Sequence, residues 1–137
     1  MIVIDTSVWI DFLTGAESAH RHELHRLIET GQDIGLTEVS LTEVSLTEIL
    51  QGIKSDTLFN KTKNYLIDFP ILRPKSIETY IESAIIYKKC RRKGKTVRST
   101  IDCLISAITS EHDASLFHKD RDFHHIAQYT ALRLYDI

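Results

Sequence analysis

Proline and glycine are scarce, with two and five residues in a chain of 137. That excludes collagen-like repeats, and no Pro-, Gly- or Ser-rich linker divides the chain. Cysteine is equally sparse, with Cys90 and Cys103 alone. Two thiols cannot build a disulfide framework, and their separation matches no zinc-ligand spacing, so a reducing compartment is the simplest setting. No apolar run approaches the ~20 residues of a spanning helix. Met1 leads straight into Ile2-Val3-Ile4-Asp5 without a basic leader. The expectation is one domain over residues 1–137, cytoplasmic and without a membrane partner. A global excess of basic charge is also missing: 17 Lys and Arg stand against 19 Asp and Glu, for a net charge of −2. What remains is ordinary globular material, 42% hydrophobic and 26% charged, in a chain long enough to bury a core without staples.

Periodicity divides the chain into alternating strands and helices. Ile2-Val3-Ile4 reads as a buried strand ending at Asp5. Leu24, Leu27 and Ile28 share one face of a helix over about 20–30, with Gly31 as its stop. A strand is expected near 34–39, a helix over 46–54, and another over 56–67 carrying Leu58, Phe59, Thr62, Tyr65 and Leu66. Phe69 to Leu72 reads as a short extended piece before Pro74. Ser76 caps a long helix with Ile77, Tyr80, Ile81, Ala84, Ile85 and Tyr87, which Gly94 breaks. Its tyrosines, with Tyr65, are expected to pack between helices. Ser99 opens a helix with Ile101, Leu104, Ile105 and Ile108 on one side. A strand at 115–118, a helix near 122–128 and a strand near 131–135 complete the order. The alternation implies an α/β sandwich around a mainly parallel sheet.

One stretch departs from regular patterning. LTEVS at 36–40 repeats at 41–45, and LTEIL follows at 46–50. A period of five matches neither strand nor helix, so Glu38, Glu43 and Glu48 cannot share one face of one element. The repeat is a local duplication rather than a solenoid, and Glu38 is expected in the strand.

Carboxylates gather where such a sheet places its ligands. Asp5 ends the first strand, and Asp120 and Asp122 follow the strand at 115–118. Sites in open parallel sheets lie beyond the carboxyl ends of strands. Asp102 and Glu48 each fall in the first turn of an expected helix. Clustered carboxylates raise one another's pKa, and a divalent ion relieves that cost. Oxygen-only ligands suit Mg²⁺ or Mn²⁺. Each residue has a plainer explanation as well: Ser99-x-x-Asp102 and Ser45-x-x-Glu48 fit capping boxes, and Asp120-Arg121-Asp122 fits a polar turn. Only the conjunction is informative.

Charge is also concentrated locally. Residues 88–98 hold seven basic side chains in eleven positions: Lys88, Lys89, Arg91, Arg92, Lys93, Lys95 and Arg98. Such a run suits a phosphate backbone, or simply a solvated helix end. The histidines are assigned no ligand role. His22 and His25 lie three apart without a third ligand, and His118 reads as strand-end packing. Trp9 and Phe123 are expected in the core, and Cys90 and Cys103 as small buried apolar residues.

Four segments, in order, carry a resemblance. Ile2-Val3-Ile4-Asp5-Thr6-Ser7-Val8-Trp9-Ile10-Asp11, Thr47-Glu48-Ile49-Leu50-Gln51-Gly52-Ile53, Arg98 to Ala107 (RSTIDCLISA) and His118-Lys119-Asp120-Arg121-Asp122-Phe123 resemble the acidic motifs of PIN domains of the VapC type. The resemblance implies a PIN-like fold, with a mainly parallel central sheet flanked by helices. It implies an endoribonuclease toxin dependent on Mg²⁺ or Mn²⁺, acting on structured RNA, often transfer RNA. A cognate VapB-like antitoxin and a homodimer are implied with it. Asp5 and Asp102 become the central metal ligands, Glu48 and Asp120 complete the catalytic set, and Asp122 is a fifth member. Thr6, Ser7 and Ser99 become supporting hydroxyls. The departure is the duplication. Glu48 is preferred because only it precedes Leu50-Gln51-Gly52-Ile53, and Glu43 competes if the helix starts early. The competing reading is a catalytically weak PIN fold that binds RNA or a protein partner.

Overall fold

Ile2, Val3 and Ile4 present apolar side chains to both faces of a strand, and such a run is stable only where both faces are covered. In the computed structural model, which describes residues 1–42, 47 and 50–137, they form β1 (Ile2–Ile4), the centre of a five-stranded sheet. The other strands are β2 (Ile34–Thr37), β3 (Ile71–Leu72), β4 (Ser115–Phe117) and β5 (Arg133–Leu134). Their order is β3-β2-β1-β4-β5, and every pairing is parallel. The chain builds outward from β1 through β2 to β3, then crosses to the opposite side of β1 for β4. The switch point therefore lies between β1 and β4, where ligands of such sheets sit.

Seven helices with defined bounds flank the sheet among the described residues: α1 (Thr6–Thr14), α2 (Ala19–Glu29), α3 (Glu38–Thr42), α4 (Asp56–Ile67), α5 (Ile77–Arg92), α6 (Thr100–Glu111) and α7 (Arg121–Tyr129). Strand alternation sends neighbouring side chains to opposite layers. Val3 and Leu116 join Ile86, Cys90, Ile105, Ile108, Phe123 and Ile126 from α5, α6 and α7. Ile4 and Phe117 join Val8, Trp9, Leu24, Leu27 and Leu66 from α1, α2 and α4. Trp9, Phe123, Cys90 and Cys103 are buried, as expected. No helix among the described residues is long and apolar enough to cross a membrane.

Several elements differ from the sequence reading. Residues 6–14 form α1, because Asp5 ends the strand by capping a helix. Strand β2 stops at Thr37, and Glu38 lies in a helix rather than the strand. The reason is local: Ser40 N–H donates to Thr37 Oγ1 at 3.2 Å, turning the chain there. Glu38 pairs instead with Arg73 at 3.2 Å. The expected helix over 46–54 falls partly outside the described residues, with helical positions at 47 and 50–52 inside them.

The largest correction concerns α5. Its buried side is Thr79, Ser83, Ile86 and Cys90. The apolar series expected to pack inward faces out: Ile77 is 72% exposed, Tyr80 55%, Ile81 48% and Ile85 39%. Helix orientation is set by what its neighbours accept. The Thr79 hydroxyl donates to Glu111 on α6 at 2.7 Å, and the small Ser83 and Cys90 allow α5 and α6 a close approach.

Candidate metal centre

Asp5 occupies the extended position just before α1, with φ −71° and ψ 153°. Its carboxylate accepts from Ser7 N–H at 3.1 Å and from the Ser7 hydroxyl at 2.5 Å. Its own N–H donates to the Phe117 carbonyl at 2.9 Å, which ties the end of β1 to the end of β4. Across that junction Asp120 caps α7, accepting from Asp122 N–H at 2.9 Å. Ser99 caps α6 by accepting from Ile101 N–H at 3.2 Å, and Asp102 follows in the first turn. Arg98 N–H donates to Asp122 Oδ2 at 3.2 Å, joining the loop before α6 to α7. Three of the sequence-derived candidates meet directly. Asp102, Asp120 and Asp122 each offer a carboxylate oxygen, and these lie within 4.8 Å of one another.

Burial separates this group from ordinary helix caps. A cap works at the surface, but Asp102 is only 9% exposed, Asp122 6% and Asp5 6%. Asp120 is the exposed member. Burial pushes the Asp5 carboxyl above the usual carboxylate range, the Asp120 charge adds to that, and the donors from Ser7 and Thr6 hold it back. Adjacent buried carboxylates are costly without a counter-charge. A donor set of oxygens alone is what Mg²⁺ or Mn²⁺ prefers. The residues present therefore fit a hard divalent cation.

Glu48 and Glu43 lie outside the described residues. Thr6 is buried, and its hydroxyl has no hydrogen-bond partner among the described residues. Ser7 bridges the two strand ends, because its hydroxyl also accepts from Lys119 N–H at 3.2 Å. Ser99 acts as the cap of α6.

The basic side chains of 88–98 line the end of α5 and the loop after it, and all seven are exposed. Among the described residues none of them makes an ion pair. Buried Val97 anchors this loop, and Arg98 brings it to Asp122. His22 pairs with Glu17 at 3.2 Å and His25 with Glu29 at 3.4 Å, all exposed, so the two histidines form no joint site. His118 packs against Phe123 and His124 at ring separations of 5.1 and 4.8 Å. Two polar residues escaped the sequence reading. Asp11, 8% exposed, forms an ion pair with Lys119 and accepts from the Ser18 hydroxyl at 2.7 Å. A carboxylate on the otherwise apolar face of α1 was the available signal; its partner, far along the chain, had none.

The chain and its fold have counterparts among known proteins. The PIN domain family profile matches residues 2–129. VapC ribonuclease Mb1587 of Mycobacterium bovis is 34% identical over 134 residues, spanning 97% of this chain and 96% of that protein. Ribonuclease VapC11 of Mycobacterium tuberculosis matches to the same extent, 34% over 134 residues with 97% and 96% coverage. Among solved structures, FitAcB from Neisseria gonorrhoeae superposes with a TM-score of 0.72 at 19% identity, covering 99% of this chain and 97% of that one. VapBC2 from Rickettsia felis, bound to a DNA fragment from its promoter, gives 0.71 at 16% identity, with 98% of each chain covered. At those identities the structural likeness speaks to the fold.

Proposed function

Since this chain belongs to the PIN-domain family, we propose that it is the ribonuclease toxin of a type II toxin–antitoxin pair, cleaving phosphodiester bonds of RNA in the cytoplasm. The observation that carries the reading is the convergence of Asp102, Asp120 and Asp122 within 4.8 Å, beside buried Asp5, at the switch point of the sheet. These four aspartates, with Glu48 by family resemblance, would hold Mg²⁺ or Mn²⁺. When bound, such an ion supplies activation of water and neutralisation of phosphate charge.

The chain's own groups do the rest. Ser7 holds the Asp5 carboxylate through two hydrogen bonds, so it would be preorganised to hold an ion. Ser99 opens α6 so that Asp102 faces the same point. Glu48 or Asp120, the exposed member of the aspartate set, would orient the attacking water. The exposed ammonium and guanidinium groups of residues 88–98 draw the RNA backbone toward the edge that Arg98 shares with Asp122.

Two surfaces suit the expected protein partners. An apolar groove of about 370 Å³ runs between α1, α2 and α4, lined by Phe12, Leu13, Ile28, Leu58 and Tyr65. It fits an apolar segment of a VapB-like antitoxin laid across the helices. The exposed stripe of Ile77, Tyr80, Ile81 and Ile85 on α5 suits a second copy of the chain.

The test is cleavage of total RNA by purified, antitoxin-free protein with Mn²⁺ or Mg²⁺, beside EDTA and Asp102→Asn controls. Discrete products lost in both controls are expected. A folded protein that cleaves nothing, or cleaves equally in EDTA, overturns the reading.

A further inference from the structure

Lys119 is held at both ends. Its main-chain N–H donates to the Ser7 hydroxyl at 3.2 Å, and that hydroxyl donates to Asp5 Oδ2 at 2.5 Å. Its ammonium pairs with Asp11 in the second turn of α1, and Ser18 completes the Asp11 carboxylate with a hydroxyl at 2.7 Å. Lys119 directly precedes Asp120. The pair thus joins the helix that Asp5 caps to the loop that carries Asp120.

Stability alone does not account for this pair. Asp11 is 8% exposed, and a well-packed apolar residue at such a site is often as stable or more so. Coulomb attraction to the cation does not account for it either, because an ammonium repels a divalent ion, and this one is paired with Asp11 on α1. Geometry remains. The pair fixes the β4–α7 loop against α1 through one main-chain attachment, which reaches Asp5 by way of Ser7, and one side-chain attachment a turn further along the helix at Asp11.

We propose that Asp11 and Lys119 are positioning residues that set the spacing of Asp5 and Asp120 for the divalent ion. The inference rests on the metal-dependent reading given above. It makes a prediction of opposite sign to simple electrostatics: removing the Lys119 charge weakens cation binding instead of strengthening it.

The measurement is Mn²⁺ affinity by calorimetry or electron paramagnetic resonance without RNA, on wild type, Lys119→Met and the double variant Asp11→Asn/Lys119→Met. The double variant leaves net charge unchanged and strands no buried carboxylate, so it keeps the test open if the single variant fails to fold. Both variants are expected to bind Mn²⁺ about tenfold more weakly, the scale found for groups that orient metal ligands. With RNA, kcat should fall while KM stays within about twofold, as for a group acting on the reacting centre rather than on substrate binding. Folded variants that bind Mn²⁺ as tightly as wild type, or more tightly, overturn the inference alone. A wild type that binds no Mn²⁺ overturns the metal reading, and this inference with it.

Discussion

At the level of single residues, the acidic set shows what a sequence makes legible. Asp5, Asp102, Asp120 and Asp122 could be picked out because each sits at the end of a recognisable strand or the start of a recognisable helix. Their convergence could not, because each also serves as an ordinary cap or first-turn acid, and spacing along the chain does not reveal burial. The burial of Asp5 yields a test of its role. Asn caps helices as well as Asp and carries no charge to desolvate. Asp5→Asn is therefore expected to melt at or above the wild-type temperature while losing cleavage by about 100-fold or more; calorimetry and an RNA assay on the same preparation check both. The Asp11–Lys119 pair was not legible, since its two members are remote in sequence. Burial pushes the Asp11 carboxyl up, but the Lys119 ammonium and the Ser18 hydroxyl outweigh it and hold it below its ordinary value. A carboxylate depressed in the folded state stabilises fully above its unfolded pKa, near about 4. That contribution disappears as pH falls through the lower folded value. Lys119 is one-third exposed, with 34% of its side chain accessible, so solvent screens the pair. Asp11→Asn should cost about 1–3 kcal/mol at pH 7, and denaturant titrations should show the difference from wild type shrinking below about pH 4.

At the level of elements, strands and long helices were legible where apolar periodicity was strong, as in β1, α2, α6 and β4. The helix over 6–14 was not, because its start depends on Asp5 capping a chain that had just been a strand. Helix α5 was legible as a helix but not in orientation: a stripe of Ile77, Tyr80, Ile81 and Ile85 says that something covers it, not which surface does. Its last turns carry the exposed cations. Arg91→Ala/Arg92→Ala removes two of them from a solvated face, so melting temperature should hardly move. Affinity for RNA should fall, and the slope of log K against log salt should shrink by about 1.4–1.8, the contribution of two phosphate contacts. Filter binding with the Asp5→Asn background across a salt series measures this. An unchanged slope would remove these side chains from the RNA path.

At the scale of the whole molecule, the parallel sheet and the layered core follow from alternating elements, but strand order does not. That order matters most for the site, since the crossover from β3 to β4 brings Asp5 and Asp120 to one edge. The groove between α1, α2 and α4 carries a further prediction. Leu58 is 53% exposed at its rim, so Leu58→Glu should leave folding and RNA cleavage intact while weakening capture of a co-expressed antitoxin, read by pull-down and by loss of inhibition.

The central claim is that Asp5, Asp102, Asp120 and Asp122 share one divalent ion, and the most direct measurement is a crystal soaked in Mn²⁺, with anomalous scattering collected at the manganese edge. A peak within about 2–2.5 Å of oxygens from these aspartates is predicted, the usual range for hard-cation ligands. A well-ordered set of these carboxylates with no peak among them, or a peak held by other residues, would contradict the account.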